Sequence, residues 1–349
     1  MNAARWFQPA YGAWPAGRRA FVILGTALAA LALGRLALPR SVPSFLSIPP
    51  WHRASRVSAD LARRADLAAG IVVRAQDYLR AVKRVEGAEP EGTADPSGLI
   101  GAELTPLVTT LGSLEAKRIS TNPAWARVLA VRMAGVDVRK GSVVAAGFSG
   151  SFPALNLAVM AACQALEADL VAVSSVTASS WGANQAGFTW PEIEARLGRA
   201  GLVRRVSVAV SLGGAGDRAF DLEPEGRALA EQILEKSAAD LGAVALRPSD
   251  ISASVDQRLD IYGRAAGGRR IVLYVNVGGT EASLGASAAI LRMRSGFLPG
   301  VPFDFSPERG LIARFAERGV PVLTLLNVRD LAVRWGVPLA PRVAEPAQR

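Results

Sequence analysis

Residues 142–326 alternate short β-like runs with longer helix-like runs, and this rhythm restricts the fold more than any other feature. Short blocks of β-branched and small apolar residues predict strands, and the longer apolar-periodic stretches between them predict helices. Such alternation is typical of an α/β domain with a mostly parallel, doubly wound sheet. Predicted strands cover 142–146, 170–174, 205–212, 244–246, 270–277 and 320–326, and predicted helices cover 153–166, 224–241 and 255–265. Further helices are predicted to begin at Asn122-Pro123, at the capping box Thr189–Glu192 and at Ser306-Pro307.

A single long helix is predicted ahead of this region, over residues 58–84. Apolar residues recur there at spacings of three and four, the period of a helix face. Three of the seven positions on that face are Ala, so the surface that covers it must approach closely. The seven are Leu61, Ala65, Ala68, Val72, Ala75, Leu79 and Val82.

Residues 20–38 form an apolar segment, AFVILGTALAALALGRLAL, whose one charge is Arg35. About 20 apolar residues in a helix cross a bilayer, and a terminal Arg can snorkel to the interface. The segment predicts a single membrane anchor with the following domain outside the cytoplasm. A cleaved twin-arginine signal at Arg18-Arg19 and a buried core helix are the alternatives. The predicted organisation is a tail (1–19), the anchor (20–38), a Pro/Ser linker (39–56), the α/β domain (57–340) and a second tail (341–349).

The charge of the chain is concentrated at its start. The whole sequence has 40 basic and 30 acidic residues, a formal charge of +10. Residues 1–56 hold seven Arg and no Asp or Glu, so the remainder is nearly balanced. Basic residues around one apolar segment indicate attraction to anionic lipid headgroups. No nucleic-acid-binding motif is present, and nucleic acid is not an expected partner.

Several chemistries are excluded or disfavoured by residue counts and spacing. The sequence has one Cys, Cys163, and one His, His52, which leaves no internal disulfide and no His/Cys metal site. A P-loop is absent, and the GxGxxA match at 214–219 is not followed by a helix-like run. A carboxylate site for Mg²⁺ at Asp217 and Glu281 is conceivable but has no further support. We therefore expect no cofactor and no metal.

Four Gly/Ser-rich loops follow predicted strands, at 147–151, 174–184, 211–218 and 276–283. The carboxyl ends of parallel strands meet at one edge of a sheet, where ligands bind. Backbone N–H groups and neutral hydroxyl donors suit an oxyanion such as a carboxylate or phosphate. The predicted ligand-binding residues are Ser149, Gly150, Ser151, Ser180, Asn184, Gly213, Gly214, Asp217, Arg218, Asn276, Gly278 and Gly279.

Ser149 lies in GFSGS, a partial match to the G-x-S-x-G elbow of serine hydrolases. A Ser-His-Asp triad would need His52, which lies in the Pro-rich linker, to reach the sheet edge. A Ser–Lys pair is an alternative, with Ser149 as nucleophile and Lys117 as base. Lys117 and Arg118 also fit a solvated charge pair or a cationic clamp for an acidic ligand. The sequence favours a carboxylate cradle over a nucleophile at GFSGS.

Long ordered blocks of the chain resemble the poly-gamma-glutamate system protein family, over roughly residues 15–340. The resemblance implies a membrane-attached protein associated with bacterial poly-γ-glutamate synthesis and export, and it brings no catalytic residues with it. The blocks are GSLEAKRISTNP (112–123), VAAGFSGSFPALNLAV (144–159), SSVTASSWGAN (174–184), SLGGAGDR (211–218) and YVNVGGTEASLG (274–285).

The expected function is that of a membrane-anchored accessory component of poly-γ-glutamate (capsule or exopolymer) synthesis and export, with an anion site at the sheet edge. Expected partners are the synthase and export subunits, an acidic polymer or carboxylate ligand, and the membrane. A serine-dependent hydrolase or transferase acting on the polymer is one alternative. A scaffold that binds no polymer is the other.

Overall fold

The computed structural model describes residues 57–89, 95–285, 293–298 and 309–339. They belong to one compact unit, Arg53–Arg349. No helix within these ranges is both long and apolar enough to cross a bilayer. The predicted anchor at 20–38, both tails, the linker up to residue 56 and a helix start predicted at Ser306-Pro307 lie outside the described residues.

Helices account for nearly half of the described residues, and the longest helix comes first. The predicted helix over 58–84 is confirmed, with bounds Ala59–Val85. The helices are α1 (Ala59–Val85), α2 (Leu114–Ser120), α3 (Ala124–Ala134), α4 (Pro153–Ala165), α5 (Trp190–Arg199), α6 (Pro224–Leu241), α7 (Ile251–Ala265), α8 (Glu281–Leu284), α9 (Leu311–Glu317) and α10 (Val328–Trp335).

The strands form a seven-stranded sheet and a separate two-stranded one. The large sheet has the order β6-β5-β3-β2-β7-β9-β8, parallel except for the β8–β9 pair at one edge. The small sheet pairs β1 with β4 in parallel. The strands are β1 (Val108–Thr110), β2 (Val143–Phe148), β3 (Asp169–Ser175), β4 (Ala178–Ser179), β5 (Ser207–Ser211), β6 (Val244–Ala245), β7 (Ile271–Val277), β8 (Gly296–Phe297) and β9 (Val322–Leu325).

The strand order confirms a doubly wound α/β fold. From β2 the chain moves outward through β3, β5 and β6, then returns to lie on the other side of β2 as β7. Helices cover both faces, because a parallel sheet must bury both of its apolar sides. One face is covered by α1, α3 and α4, the other by α7 and α9, and α6 packs near β5. Cys163 of α4 is buried in the core, and burial raises the pKa of its thiol to about 12.

Small residues bring α1 close to the body of the domain. Ala65, Ala68 and Ala75 are all buried, as the thin apolar face predicts. They lie in one hydrophobic cluster with residues of α3 and α4, including Leu129 and Leu157. Because a methyl group is the whole side chain at these positions, the backbones approach closely and leave no room for larger groups.

Filling that space is expected to destabilise the fold. Ala75 is fully buried, so Ala75→Leu should lower the free energy of unfolding by about 1–3 kcal/mol through overpacking. Ala81 lies on the exposed side of the same helix, and Ala81→Leu should change stability by about 0.5 kcal/mol or less. Urea denaturation of both variants measures the difference. Equal effects at the two positions would mean that α1 is not closely packed.

Candidate functional site

The four Gly/Ser-rich loops follow β2, β3, β5 and β7, and all four strands run in the same direction. The loops therefore lie along one edge of the sheet, as the sequence predicts. A Cβ atom on Gly150 would stand 2.7 Å from the carbonyl oxygen of Thr177, and one on Gly213 would stand 2.7 Å from the hydroxyl of the same Thr177. The loops after β2, β3 and β5 are thus in contact with each other.

The loop after β7 meets the loop after β2 at the point where the strand order reverses. A Cβ atom on Gly278 would stand 2.8 Å from the Cβ of Ser149. The Ser149 N–H also donates to the carbonyl oxygen of Val277 at 3.2 Å. Ligands of open α/β sheets bind in the crevice at such a reversal point. The predicted residues Ser149 and Gly278 therefore lie at the position where this fold class places its sites.

Two buried amides hold these loops. Asn156 donates its Nδ2 to the carbonyl oxygen of Ser149 at 2.9 Å, and Asn276 donates its Nδ2 to that of Gly278 at 2.8 Å. The Oδ1 atoms of Asn156 and Asn276 are buried and have no hydrogen-bond partner among the described residues. Buried acceptors of this kind require a donor from water or from a ligand. Each amide thus presents an unused acceptor next to the reversal point.

Lys117 is distant in the sequence from these loops, and its side chain reaches the same edge of the sheet from α2. Its Nζ donates to the Ser179 Oγ at 2.7 Å and to the carbonyl oxygen of Ser151. The ring of Phe152 covers the ammonium, with its centroid 4.0 Å from Nζ. The side chain is buried, so the solvated charge pair that Lys117 and Arg118 suggest is wrong for Lys117. We call Lys117, Ser149, Ser151 and Ser179 the cradle.

The three serines of the cradle are linked in series. The Ser151 N–H donates to the Ser149 Oγ, and the Ser179 N–H donates to the Ser151 Oγ, each at 3.1 Å. Ser179 Oγ in turn accepts from Lys117. Each hydroxyl oxygen therefore accepts a hydrogen bond and keeps its own O–H proton to donate. Three hydroxyl donors, of which the Ser179 hydroxyl is hydrogen-bonded to the Lys117 amine, suit an acceptor with negative charge.

The electrostatics of the cradle are set by burial. Within the described part of the chain, no carboxylate forms an ion pair with Lys117. Burial lowers the pKa of its ammonium from 10.5 to about 7. A charged amine in this position has only neutral partners, which leaves its desolvation uncompensated. An anion that entered the cradle would supply the missing charge.

Four other predicted site residues lie in different surroundings. Asn184 is fully buried and forms two hydrogen bonds with the backbone of Ala102, so its amide is occupied. Ser180 is buried, and its Oγ has no partner among the described residues. A Cβ on Gly214 would clash with Asp221 at 2.4 Å, whereas one on Gly279 would make only ordinary contacts.

The carboxylate of Asp217 forms a buried ion pair with Arg258. This carboxylate accepts from the Arg258 guanidinium at 2.7 Å, from Ser211 at 2.9 Å and from Ser254 at 2.7 Å. Ion pairing with Asp217 outweighs the effect of burial and raises the pKa of Arg258. A carboxylate already neutralised in this way is a poor metal ligand, and Glu281 is occupied by the Gly216 N–H at 2.8 Å. The conceivable Mg²⁺ site therefore gains no support, and no group of three or more metal-ligating side chains occurs among the described residues.

Arg218 lies beside a different concavity. It lines an open cavity of about 470 Å³ with Phe220 and Asp250, and none of the cradle residues lines that cavity. Its guanidinium is 4.5 Å from the centre of the Phe220 ring and donates to the carbonyl oxygen of Ser249 at 2.9 Å. The structure thus separates Arg218 from the residues around Lys117.

The catalytic pair considered from the sequence is arranged differently in the structure. Lys117 hydrogen-bonds Ser179, and no hydrogen bond joins it to Ser149. Ser149 also lacks the left-handed backbone found at Asp217 and Trp181, so GFSGS is not a strained elbow of that kind. Sequence reasoning missed Ser179, Asn156 and Arg258 as components of this edge. The only signal for Ser179 was its place in the Ser-rich run 174–184.

Comparison with known proteins adds no relative to this picture. No protein-family model, no curated protein and no solved structure matches the chain.

The contact between the β2 and β7 loops gives a matched pair of glycine substitutions. Gly278 has a φ of +83° and no room for a Cβ beside Ser149, so Gly278→Ala should destabilise by about 1–3 kcal/mol. Gly279 has its nearest neighbours at 3.5 and 3.6 Å, and Gly279→Ala should change stability by about 0.5 kcal/mol or less. Thermal unfolding compares them. Equal tolerance of both changes would show that the loops are not in contact.

The lowered pKa of Lys117 predicts a pH-dependent stability. Between about pH 7 and pH 10.5 the unfolded chain keeps a proton that the folded protein releases, so the free energy of unfolding should rise with pH. A single group of this kind changes the free energy of unfolding by up to about 1.4 kcal/mol per pH unit. Lys117→Met removes it, so the stability difference between wild type and variant should change across this window. Urea denaturation at several pH values tests this, and a constant difference would contradict the burial of an amine with lowered pKa.

Proposed function

We propose that this chain is an anchored accessory component of a bacterial poly-γ-glutamate synthesis and export system, and that its α/β domain binds carboxylate groups of the polymer in the cradle. Residues 20–38 are the proposed anchor, the domain lies outside the cytoplasm, and the synthase and export subunits are the proposed partners. The resemblance of the sequence blocks to the poly-gamma-glutamate system protein family supports the pathway. The geometry of the cradle supports the ligand class.

The observation that carries the proposal is the buried amine of Lys117 with only neutral partners among the described residues. Bringing one carboxylate into the cradle forms a charge-assisted hydrogen bond and adds donation from serine hydroxyls. Charge-assisted hydrogen bonds contribute about 1.5–3 kcal/mol, or roughly 10- to 100-fold in affinity. Poly-γ-glutamate is a chain of free α-carboxylates, so one such contact is repeated along a long ligand.

Binding should depend on pH in a direction set by Lys117. The ammonium form binds a carboxylate, and burial lowers the pKa of the free amine to about 7. Affinity for fluorescently labelled poly-γ-glutamate should therefore fall by about tenfold or more between about pH 6 and pH 9. Fluorescence anisotropy with the purified full chain, in detergent and at constant ionic strength, measures it.

Two buried lysines provide the matched control. Lys117→Met should weaken binding by about 10- to 100-fold at about pH 6. Lys83 of α1 is also buried, and burial lowers its pKa to about 8. Its Nζ donates to the carbonyl oxygen of Ile100 at 2.8 Å. Lys83→Met should leave polymer affinity unchanged. Equal loss in both variants, or binding that is independent of pH, would refute the cradle as the binding site.

A further inference from the structure

The closest side-chain partner of the Lys117 amine is a serine hydroxyl. Nζ lies 2.7 Å from the Ser179 Oγ, and the carbonyl oxygen of Ser151 holds the amine in place from a second direction. Ser179 is buried, with 6% of the residue exposed, and its hydrogen bond with Lys117 lies inside the domain. A nucleophile and a base within hydrogen-bond distance, with the base oriented by a third group, is the arrangement that activates a serine.

A lysine acts as a base only when it is neutral. Burial lowers the pKa of Lys117 from 10.5 to about 7, so its neutral form is far more accessible at neutral pH than that of an ordinary lysine. An ordinary lysine is protonated at neutral pH and must lose a proton before it can act as a base. Burial lowers that requirement for Lys117, and the arrangement uses neither a metal nor a histidine. Lys83, the other buried lysine of the described chain, donates to Ile100 and Gln185 and to no hydroxyl.

We propose that Ser179 is the nucleophile, and Lys117 the general base, of an acyl-transfer reaction on an amide or ester carbonyl. This activity goes beyond carboxylate binding and uses the opposite protonation state of Lys117. The Ser179 Oγ forms a bond to the carbonyl carbon while its proton moves to the Lys117 Nζ. The carbon–nitrogen or carbon–oxygen bond of the substrate then breaks, and Lys117 returns the proton to the leaving amine or alcohol. Water or an acceptor amine attacks the acyl-serine ester, its proton passes to Lys117, and the Ser179 hydroxyl is regenerated with that proton.

The geometry assigns the nucleophile to Ser179 rather than to Ser149 or Ser151. Ser149 accepts from the Ser151 N–H, and Ser151 accepts from the Ser179 N–H, so neither hydroxyl is paired with an amine. Their O–H protons remain available to donate to the substrate oxygen as negative charge develops there. Their role in this reaction is to position and to stabilise, and Ser179 alone becomes acylated.

The test is covalent labelling of the full chain with methanesulfonyl fluoride, a small reagent that forms a stable sulfonyl ester with an activated serine and releases fluoride. Peptide mass spectrometry locates the adduct. Wild type should be labelled at Ser179, at a rate that rises about tenfold between about pH 6 and pH 8 as Lys117 loses its proton. Ser179→Ala should lose the adduct, and Lys117→Met should label at least about tenfold more slowly.

Matched variants separate activation from folding. Ser237 is a buried serine of α6 with no partner for its Oγ among the described residues, and Ser237→Ala should label like wild type. Lys83→Met should do the same. Ser179→Cys keeps a nucleophile in place and should react with iodoacetamide faster than the same variant carrying Lys117→Met, provided that circular dichroism shows both to be folded.

The outcomes distinguish this proposal from the binding proposal. Absence of an adduct at Ser179, an adduct on Ser149 or Ser151 instead, or equal labelling of wild type and Lys117→Met overturns the assignment. Labelling at Ser179 in a protein that does not bind poly-γ-glutamate would uphold the acyl-transfer site and remove the binding proposal. Polymer binding without labelling would do the reverse.

Discussion

The parallel ladders on both sides of β2 are the constraint on which the site depends. β2 pairs with β3 along its whole length and with β7 on the other side. The Ser149 N–H donates to the carbonyl oxygen of Val277, which extends the β2–β7 contact beyond the strands. With β2 held on both sides, its exit loop cannot move away from the loops of its neighbours. The sheet therefore places the serines of the cradle, and Lys117 reaches them from α2.

The regular elements were predictable because their signals are local. The helix over 224–241 is confirmed at both ends, with Pro224 in its first turn and Gly242 in the left-handed conformation after it. The Thr189–Glu192 capping box also begins a helix, α5, as predicted. The strand ends shift by at most two residues from the predicted bounds, where hydrogen bonding to a neighbour decides the boundary. Pro, Gly and capping side chains act within a few residues, so the sequence alone displays them.

The elements that were not predicted depend on distant partners. β1 and β4 have three and two residues, too few for a periodic pattern, and each exists because the other is beside it. The seven residues of α2 carry two adjacent cations, Lys117 and Arg118, which resemble a solvated surface. Lys117 points inward because its amine contacts Phe152 and Ser179, and no local sequence pattern predicts this orientation.

The loops of the site were predictable, but the roles of their polar side chains were not. Gly and Ser after parallel strands indicate an edge with donors, and the structure places those loops together. Asn184 and Asp217 look equally suitable for a ligand in the sequence. The first is occupied by the backbone of Ala102 and the second by Arg258, whose helix follows more than 30 residues later. The hydrogen bonds that buried polar side chains form in the folded protein decide which of them can still bind a ligand. Those partners come from distant parts of the chain, so the sequence alone does not show them.

The cradle also joins residues that are far apart in the sequence. Lys117 is separated by 34 residues from Ser151 and by 62 from Ser179. Contacts of such sequence separation form only when large loops have closed, at the entropic cost of that closure. Until then the Lys117 amine is solvated and titrates as an ordinary lysine. Its unusual chemistry is thus acquired together with the native topology, and no isolated peptide from this protein would carry it.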